Sequence, residues 1–222
     1  MSTNLVSFRG PIGSGKSFAA EVFRKRFGYR RISFADALKL EVFEALWSRE
    51  FPKVLAPNPA AAQAFANSQP DQYFRPRSLY YIHDDEKLDF INTNKLALRP
   101  LLQWWGTEFR RGQDVNYWLN QWSNKVQAAM SRGQQVVVDD ARFDNELDRI
   151  LELGGKHLFV HTKDEQIAER LNARDGAVNL GIAKHASEET VTWYDIRNAH
   201  VIRNWGTAES FEYALQGLHA SL

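Results

Sequence analysis

The 222-residue chain contains no cysteine. That excludes disulfides and any thiolate-bound zinc or iron–sulfur centre. It also has no dominant charge: 28 Lys and Arg stand against 27 Asp and Glu, for a formal net charge of +1. A dedicated nucleic-acid coat or a polybasic membrane binder needs a one-sided balance, so neither is expected. No segment approaches the roughly 18 apolar residues of a membrane helix. Met1 to Asn4 is short and polar, unlike a signal peptide, and a soluble cytoplasmic protein is expected. There is no internal repeat and no low-complexity tail. With 44% hydrophobic residues the chain can bury a full core, and its length suits a single domain spanning 1–222.

What the chain does have is Gly10-Pro11-Ile12-Gly13-Ser14-Gly15-Lys16-Ser17, which fits the phosphate-loop pattern G-x-x-x-x-G-K-[ST]. The context is the one this chemistry requires. Leu5 to Phe8 reads as a buried strand before it, and Ala19, Val22, Phe23 and Phe27 read as a helix after it, closed by Gly28. Glycines let successive N–H groups turn toward phosphate oxygens, and the helix start adds positive dipole. Gly10, Gly13, Ser14 and Gly15 would form the cradle, Lys16 would reach the β- and γ-phosphates, and Ser17 would bind Mg²⁺. A bound nucleoside triphosphate is therefore expected.

Strand and helix patterns alternate along the chain, which predicts a parallel sheet covered on both faces. Five strands are expected, at about 4–9, 29–34, 134–139, 157–160 and 201–202. Helices are expected at 36–49, from Pro100 through Phe109, at 116–132, at 145–153, from a Thr162/Glu165 capping box to Arg174, and after Thr207. Residues 52–95 hold Pro52, Pro57, Pro59, Pro70 and Pro76 and read as a helical or irregular insertion beside an acceptor site. Residues 175–190 are polar and charged. Arg170 and Arg174, four apart on one helix face just before them, suit a lid (about 170–190) that closes over a triphosphate.

Other groupings carry chemistry. Val136-Val137-Val138 ends in Asp139 and Asp140, and such a carboxylate commonly holds Mg²⁺ beside a phosphate loop; Asp140 is the choice and Asp139 the competitor. Arginine suits the charge of a transferring phosphoryl group, and Arg142, Arg99, Arg110 and Arg111 are further candidates. Trp104 and Trp105 are adjacent, so one is expected in the core and the other beside a pocket, stacked on a base, with Gln103 on the base edge. These aromatic helices would either fill the core or bury a homodimer face. Asp36, where the second strand becomes a helix, would accept from a sugar hydroxyl or cap the helix. His185 has no partner at metal-ligand spacing, so zinc is not expected. The run Arg24, Lys25, Arg26, Arg30 and Arg31 reads as a solvated helix end or, less simply, a strand-binding surface.

In order along the chain stand the loop, Phe34-Ala35-Asp36-x-Leu38-Lys39, Leu102-Gln103-x-x-Gly106-Thr107-Glu108-x-x-Arg111, Asp140-x-Arg142-Phe143-x-Asn145-Glu146, His185-x-Ser187-Glu188 and Val201-Ile202-x-Asn204. This series resembles the deoxynucleoside monophosphate kinases of bacteriophages, a branch of the phosphate-loop nucleoside and nucleotide kinases, over roughly residues 4–218. The resemblance implies a P-loop kinase fold and transfer of the ATP γ-phosphate to a deoxynucleoside 5′-monophosphate, with Mg²⁺, in the cytoplasm of a host cell. It implies Arg111 and Arg142 near the acceptor phosphate, with Asp36, Lys39, Gln103, Trp104 and Glu108 also on the acceptor. It further implies Asn204 with the loop on ATP, Arg170 and Arg174 in the lid, and Lys16, Arg142, Arg170 and Arg174 as the catalytic cations. Ala141 and Asp144 depart from the family, which often has a branched residue and a proline there. Two other readings stand beside this one: a related kinase acting on hydroxymethylpyrimidines within DNA, and a nucleotide-binding switch or assembly protein with little turnover.

Overall fold

Leu5–Arg9 forms the strand expected ahead of the loop (β1), and all five of its residues are buried. Burial on both faces is what the centre of a parallel sheet imposes, here on Ser7 and Arg9 as well as on Leu5, Val6 and Phe8. The computed structural model describes residues 3–52, 58–68, 82–175 and 200–222, apart from the side chains of 174 and 175. The other strands are β2 (Arg30–Arg31), β3 (Val136–Val138), β4 (Lys156–His161) and β5 (His200–Arg203). All pairs are parallel, in the order β2-β3-β1-β4-β5. Val6 lies opposite Val137 on one side and Lys156 on the other. The helices are α1 (Lys16–Phe27), α2 (Phe34–Ser48), α3 (Pro59–Asn67), α4 (Asp84–Thr93), α5 (Lys95–Gln103), α6 (Tyr117–Met130), α7 (Asp144–Glu152), α8 (Asp164–Asp175) and α9 (Ala208–Ala220). A π-helix, Trp104–Arg111, follows α5 directly.

The described residues form two compact units, 1–33 with 122–222 and 34–121. The first is built on the sheet. Phe8, Phe23, Val137, Val160, Phe211 and Leu215 share one buried core, with Phe23 edge-on to Phe8 and Tyr29. Because β1 leads leftward to the edge and every later crossover returns rightward, right-handed connections put helices on both faces. The loop after β1 thus sits at the carboxyl ends of the strands, where the strand order reverses, and open α/β sheets bind ligands there. The second unit is helical and aromatic. Phe43, Leu46, Phe65, Leu98, Leu101, Trp104 and Trp105 belong to its core.

Several expectations shift. The second strand is only two residues long, and Phe34 already lies in α2, so Asp36 sits in that helix's first turn instead of capping it. A carboxylate there still favours the helix dipole. Arg49, at φ 61, closes α2 before Phe51-Pro52. Within 52–95, Asn58 caps α3 by accepting from the N–H groups of Ala60 and Ala61 at 3.0 and 3.1 Å, and Glu86 accepts the His83 N–H at the start of α4. Pro100 lies inside α5 instead of opening it. Its ring leaves the Leu96 carbonyl without a helical donor, and the helix start falls at Lys95. Thr207 caps the last helix as expected, accepting the Ser210 N–H at 3.3 Å. Thr162 does not cap α8, which begins at Asp164.

Candidate active site

Gly10, Gly13 and Gly15 all have positive φ, 137°, 79° and 103°. Two of them are needed for space as well as for conformation. A Cβ on Gly10 would stand 2.5 Å from the Val160 carbonyl oxygen, and one on Gly15 would stand 2.5 Å from Nδ2 of Asn204. The loop therefore lies directly on the ends of β4 and β5. Lys16 opens α1, and its ammonium donates to the carbonyls of Gly10 and Pro11 at 2.6 and 2.7 Å. The cation is thus held across the loop by acceptors that phosphate oxygens would replace. Ser17 follows on the exposed first turn of the helix.

Ser14 is fully buried, and its carbonyl accepts from Thr162 Oγ1 at 2.9 Å and from Asn204 Nδ2 at 2.7 Å. The Ser14 hydroxyl is buried with no hydrogen-bond partner. Arg170, on α8, donates to the Gly13 carbonyl at 3.3 Å and to Asn204 Oδ1 at 3.4 Å. Loop, Lys16, Arg170 and Asn204 are brought together. The participation of Thr162 is new; its position at the carboxyl end of a predicted strand was the available signal, overridden by an apparent capping box.

The two aspartates after β3 are distinguished. The Asp139 carboxylate is buried, paired with Arg31 through two hydrogen bonds of 3.0 and 2.7 Å, and accepts from Ser33 Oγ at 3.3 Å. That commits it to tying β2 to β3. Asp140 is half-buried, and Arg142 beyond it is exposed. Glu146, 2% exposed, accepts the N–H groups of Arg142 and Phe143 at 2.8 and 3.2 Å and so shapes the turn that displays Arg142. Only oxygen donors, Ser17 and Asp140, stand as metal candidates, which suits Mg²⁺ and not a softer ion. Among the described residues no group of three His, Cys, Asp or Glu side chains could hold a metal alone, so phosphate and water would have to complete the coordination.

In the helical unit the two tryptophans are a correction. Trp104 and Trp105 are both buried, 3% exposed each, with rings perpendicular at 6.1 Å. Both fall on the apolar face of this segment, which is wide enough to take adjacent residues. Trp104 stacks on Phe51 and Phe109, with centroids at 5.1 and 5.4 Å, so its ring is occupied by the core and is no platform for a base. Gln103 and Glu108 are exposed, and Asp36, Lys39 and Arg111 are half-buried. Arg110 is a structural cation here. It donates to Glu41 at 2.6 Å and lies 4.7 Å from the ring centres of both Phe109 and Tyr117. Glu41 also accepts from Trp105 Nε1 and Tyr117 OH. Burial first, and then this carboxylate, raise the Tyr117 pKa above its usual value.

The basic run of α1 and β2 lies at the surface and makes ion pairs and a hydrogen bond there. Arg24 and Lys25 pair with Glu21, Arg26 with Glu212, Arg31 with Asp139, and Arg30 donates to Gln134. Arg24 in particular holds the Glu21 carboxyl down at about 2. Arg174's side chain, His185 and the expected lid segment 176–190 lie outside the described residues.

No family model matches the chain, and no curated protein matches it. Solved structures do. A dephospho-CoA kinase from Campylobacter jejuni superposes with a TM-score of 0.51 at 15% identity, covering 98% of this chain and 96% of its own. The chain has the fold of the phosphate-loop kinases. A shikimate kinase from Acinetobacter baumannii (TM-score 0.48, 11% identity, 100% and 94% covered) and a gluconokinase from Sinorhizobium meliloti 1021 (0.45, 14%, 100% and 94%) are also similar. At such identity the likeness is one of fold. Within this phosphate-loop kinase fold, the Gly10–Ser17 loop follows the central strand. No helix among the described residues is long and apolar enough to cross a membrane.

Proposed function

We propose that the chain is an ATP-dependent deoxynucleoside monophosphate kinase, converting a deoxynucleoside monophosphate and ATP to the diphosphate and ADP. The observation that carries the phosphotransferase part is the loop itself: three positive-φ glycines at the end of the central strand, with the Lys16 ammonium across their mouth and Arg170 on the loop backbone. The acceptor part rests on the ordered motifs around Asp36, Lys39, Gln103, Glu108, Arg111 and Arg142.

In this reading the loop amides and Lys16 hold the β- and γ-phosphates. An oxygen of the acceptor phosphate, already anionic at neutral pH, attacks the γ-phosphorus. The new P–O bond forms as the bond to the β-phosphate oxygen breaks, and ADP leaves. No strong general base is needed, so catalysis is positioning and neutralisation of charge by Lys16, Arg142, Arg170 and Arg174. Ser17 and Asp140 would hold Mg²⁺, which supplies charge neutralisation between the phosphates. Asp139, already paired with Arg31, is not needed for this.

The DNA-level reading rests on the basic run, whose Arg24, Lys25, Arg26 and Arg31 lie at the surface paired with neighbouring carboxylates. The deciding experiment gives ATP and Mg²⁺ with a panel of monophosphates, ribo and deoxy, normal and modified, and with a hydroxymethylated duplex. ADP formation that depends on a deoxynucleoside monophosphate is expected. ADP released regardless of acceptor, or label transferred only to the duplex, would overturn it.

A further inference from the structure

We infer that Thr162 and Asn204 are positioning residues for the phosphate loop: together they fix the Ser14–Gly15 peptide so that its N–H faces the bound polyphosphate. The inference rests on the reading of this loop as the ATP site.

The problem they solve is created by Gly15. Only glycine reaches φ 103° there without strain, and only glycine leaves room for the Asn204 amide. The same freedom makes the peptide before it easy to rotate. Turned over, that peptide would aim the Ser14 carbonyl, an acceptor, at phosphate oxygens, and the site would lose a donor and gain a repulsion. The carbonyl is instead held from behind by two donors. Thr162 Oγ1 comes from just beyond β4 and Asn204 Nδ2 from just beyond β5, at 2.9 and 2.7 Å. Both side chains are buried, 4% and 5% exposed, so no water replaces them when they are lost. The peptide is trans, so a carbonyl pinned toward the strand ends points its partner N–H the opposite way, away from them.

Arg170 completes the arrangement. Its guanidinium donates to Asn204 Oδ1 and to the Gly13 carbonyl, at 3.4 and 3.3 Å. A donor on Oδ1 and an acceptor at Nδ2 permit only one orientation of the Asn204 amide. Neighbouring strand ends and one helix therefore set the direction of a single loop N–H.

The test compares ADP with AMP, since only ADP carries the β-phosphate that this N–H would face. Thr162→Val keeps the shape and removes the donor; Thr162→Ser keeps the donor; Asn204→Asp keeps the shape and replaces the donor by an acceptor. Calorimetry on full-length protein is expected to show Thr162→Val and Asn204→Asp weakening ADP about tenfold, roughly 1.4 kcal/mol. AMP affinity should stay unchanged in Thr162→Val, and Thr162→Ser should recover ADP binding. The Gly15 amide resonance should move on ADP addition in the wild type and in Thr162→Ser, and less in the other two. Equal ADP affinity in Thr162→Val and wild type, or equal loss of AMP and ADP, would overturn the inference. Wild-type protein that binds no ADP would overturn the ATP-site reading beneath it.

Discussion

Lys16 shows how much a single side chain carries here. Its ammonium spans the loop on two carbonyls, those of Gly10 and Pro11. Lys16→Ala is expected to cut turnover by orders of magnitude with circular dichroism unchanged; a coupled ADP assay near the wild-type rate would remove Lys16 from the mechanism. Gly15→Ala should be worse, because it strains the backbone and drives a methyl into Asn204. We expect a loss of about 1–3 kcal/mol in unfolding free energy together with ATP binding, measured by urea titration and calorimetry. These residues were legible in the sequence because loop chemistry is encoded by residue type at fixed spacing. Thr162 and Asp139 were less so. Whether a strand-end hydroxyl caps the next helix, or a carboxylate meets an arginine more than a hundred residues away, depends on which strands are neighbours, and the β2–β3 pairing decides it. Tyr29 gives a separate prediction. It is buried, donates to the Thr3 carbonyl at 3.2 Å, and burial raises its pKa above the usual 10.0. The folded state thus holds the phenolic proton more tightly than the unfolded chain. Its contribution is complete below pH 10 and is lost as pH rises through the higher folded value. Denaturant midpoints should fall above pH 10, and Tyr29→Phe should flatten part of that fall.

Among the elements, the sheet followed from hydropathy and the π-helix did not. Val136–Val138 is an apolar run and Leu5–Arg9 a mainly apolar one, and every residue of both strands is buried. Trp104–Arg111 reads as a continuing α-helix, with one of its adjacent tryptophans expected beside a pocket. The π turn is surrounded by tertiary hydrogen bonds, the Trp118 indole donating to the Gly106 carbonyl at 2.9 Å and Glu41 gathering Trp105, Arg110 and Tyr117. No local pattern announces it. Pro100 misled for a related reason: proline is commonest in a first turn, yet here the flanking leucines Leu98 and Leu101 are fully buried and hold the helix through it. If Glu41 is what fixes the π turn, Glu41→Ala should strand three donors. A cost of about 2–4 kcal/mol is expected in thermal unfolding, with a shift in tryptophan fluorescence as Trp105 is released. An unchanged midpoint and spectrum would show that ring packing alone maintains the turn.

At the level of the molecule, the division into a sheet unit carrying the phosphate loop and Arg142 and a helical unit carrying the other proposed acceptor motifs, around 34–39 and 102–111, predicts separable responses to the two ligands. A ligand that binds only the native state stabilises by RT ln(1 + [L]/Kd), about 2.7 kcal/mol at a hundredfold excess over Kd. That energy is felt first by the amides whose opening would break the contacts made. Hydrogen exchange on the full chain should therefore show ATP slowing amides of residues 10–20, 158–171 and 202–206, the loop and the strand ends and helix beneath it. A deoxynucleoside monophosphate should slow amides of 36–42 and 103–111 in the helical unit instead. Lys16→Ala should abolish the first pattern and keep the second, because the acceptor motifs do not include the loop lysine. Protection by the monophosphate that appears only on the phosphate loop would mean that the helical motifs do not read the acceptor. The proposed substrate would then have to be abandoned while the nucleotide-binding loop stood.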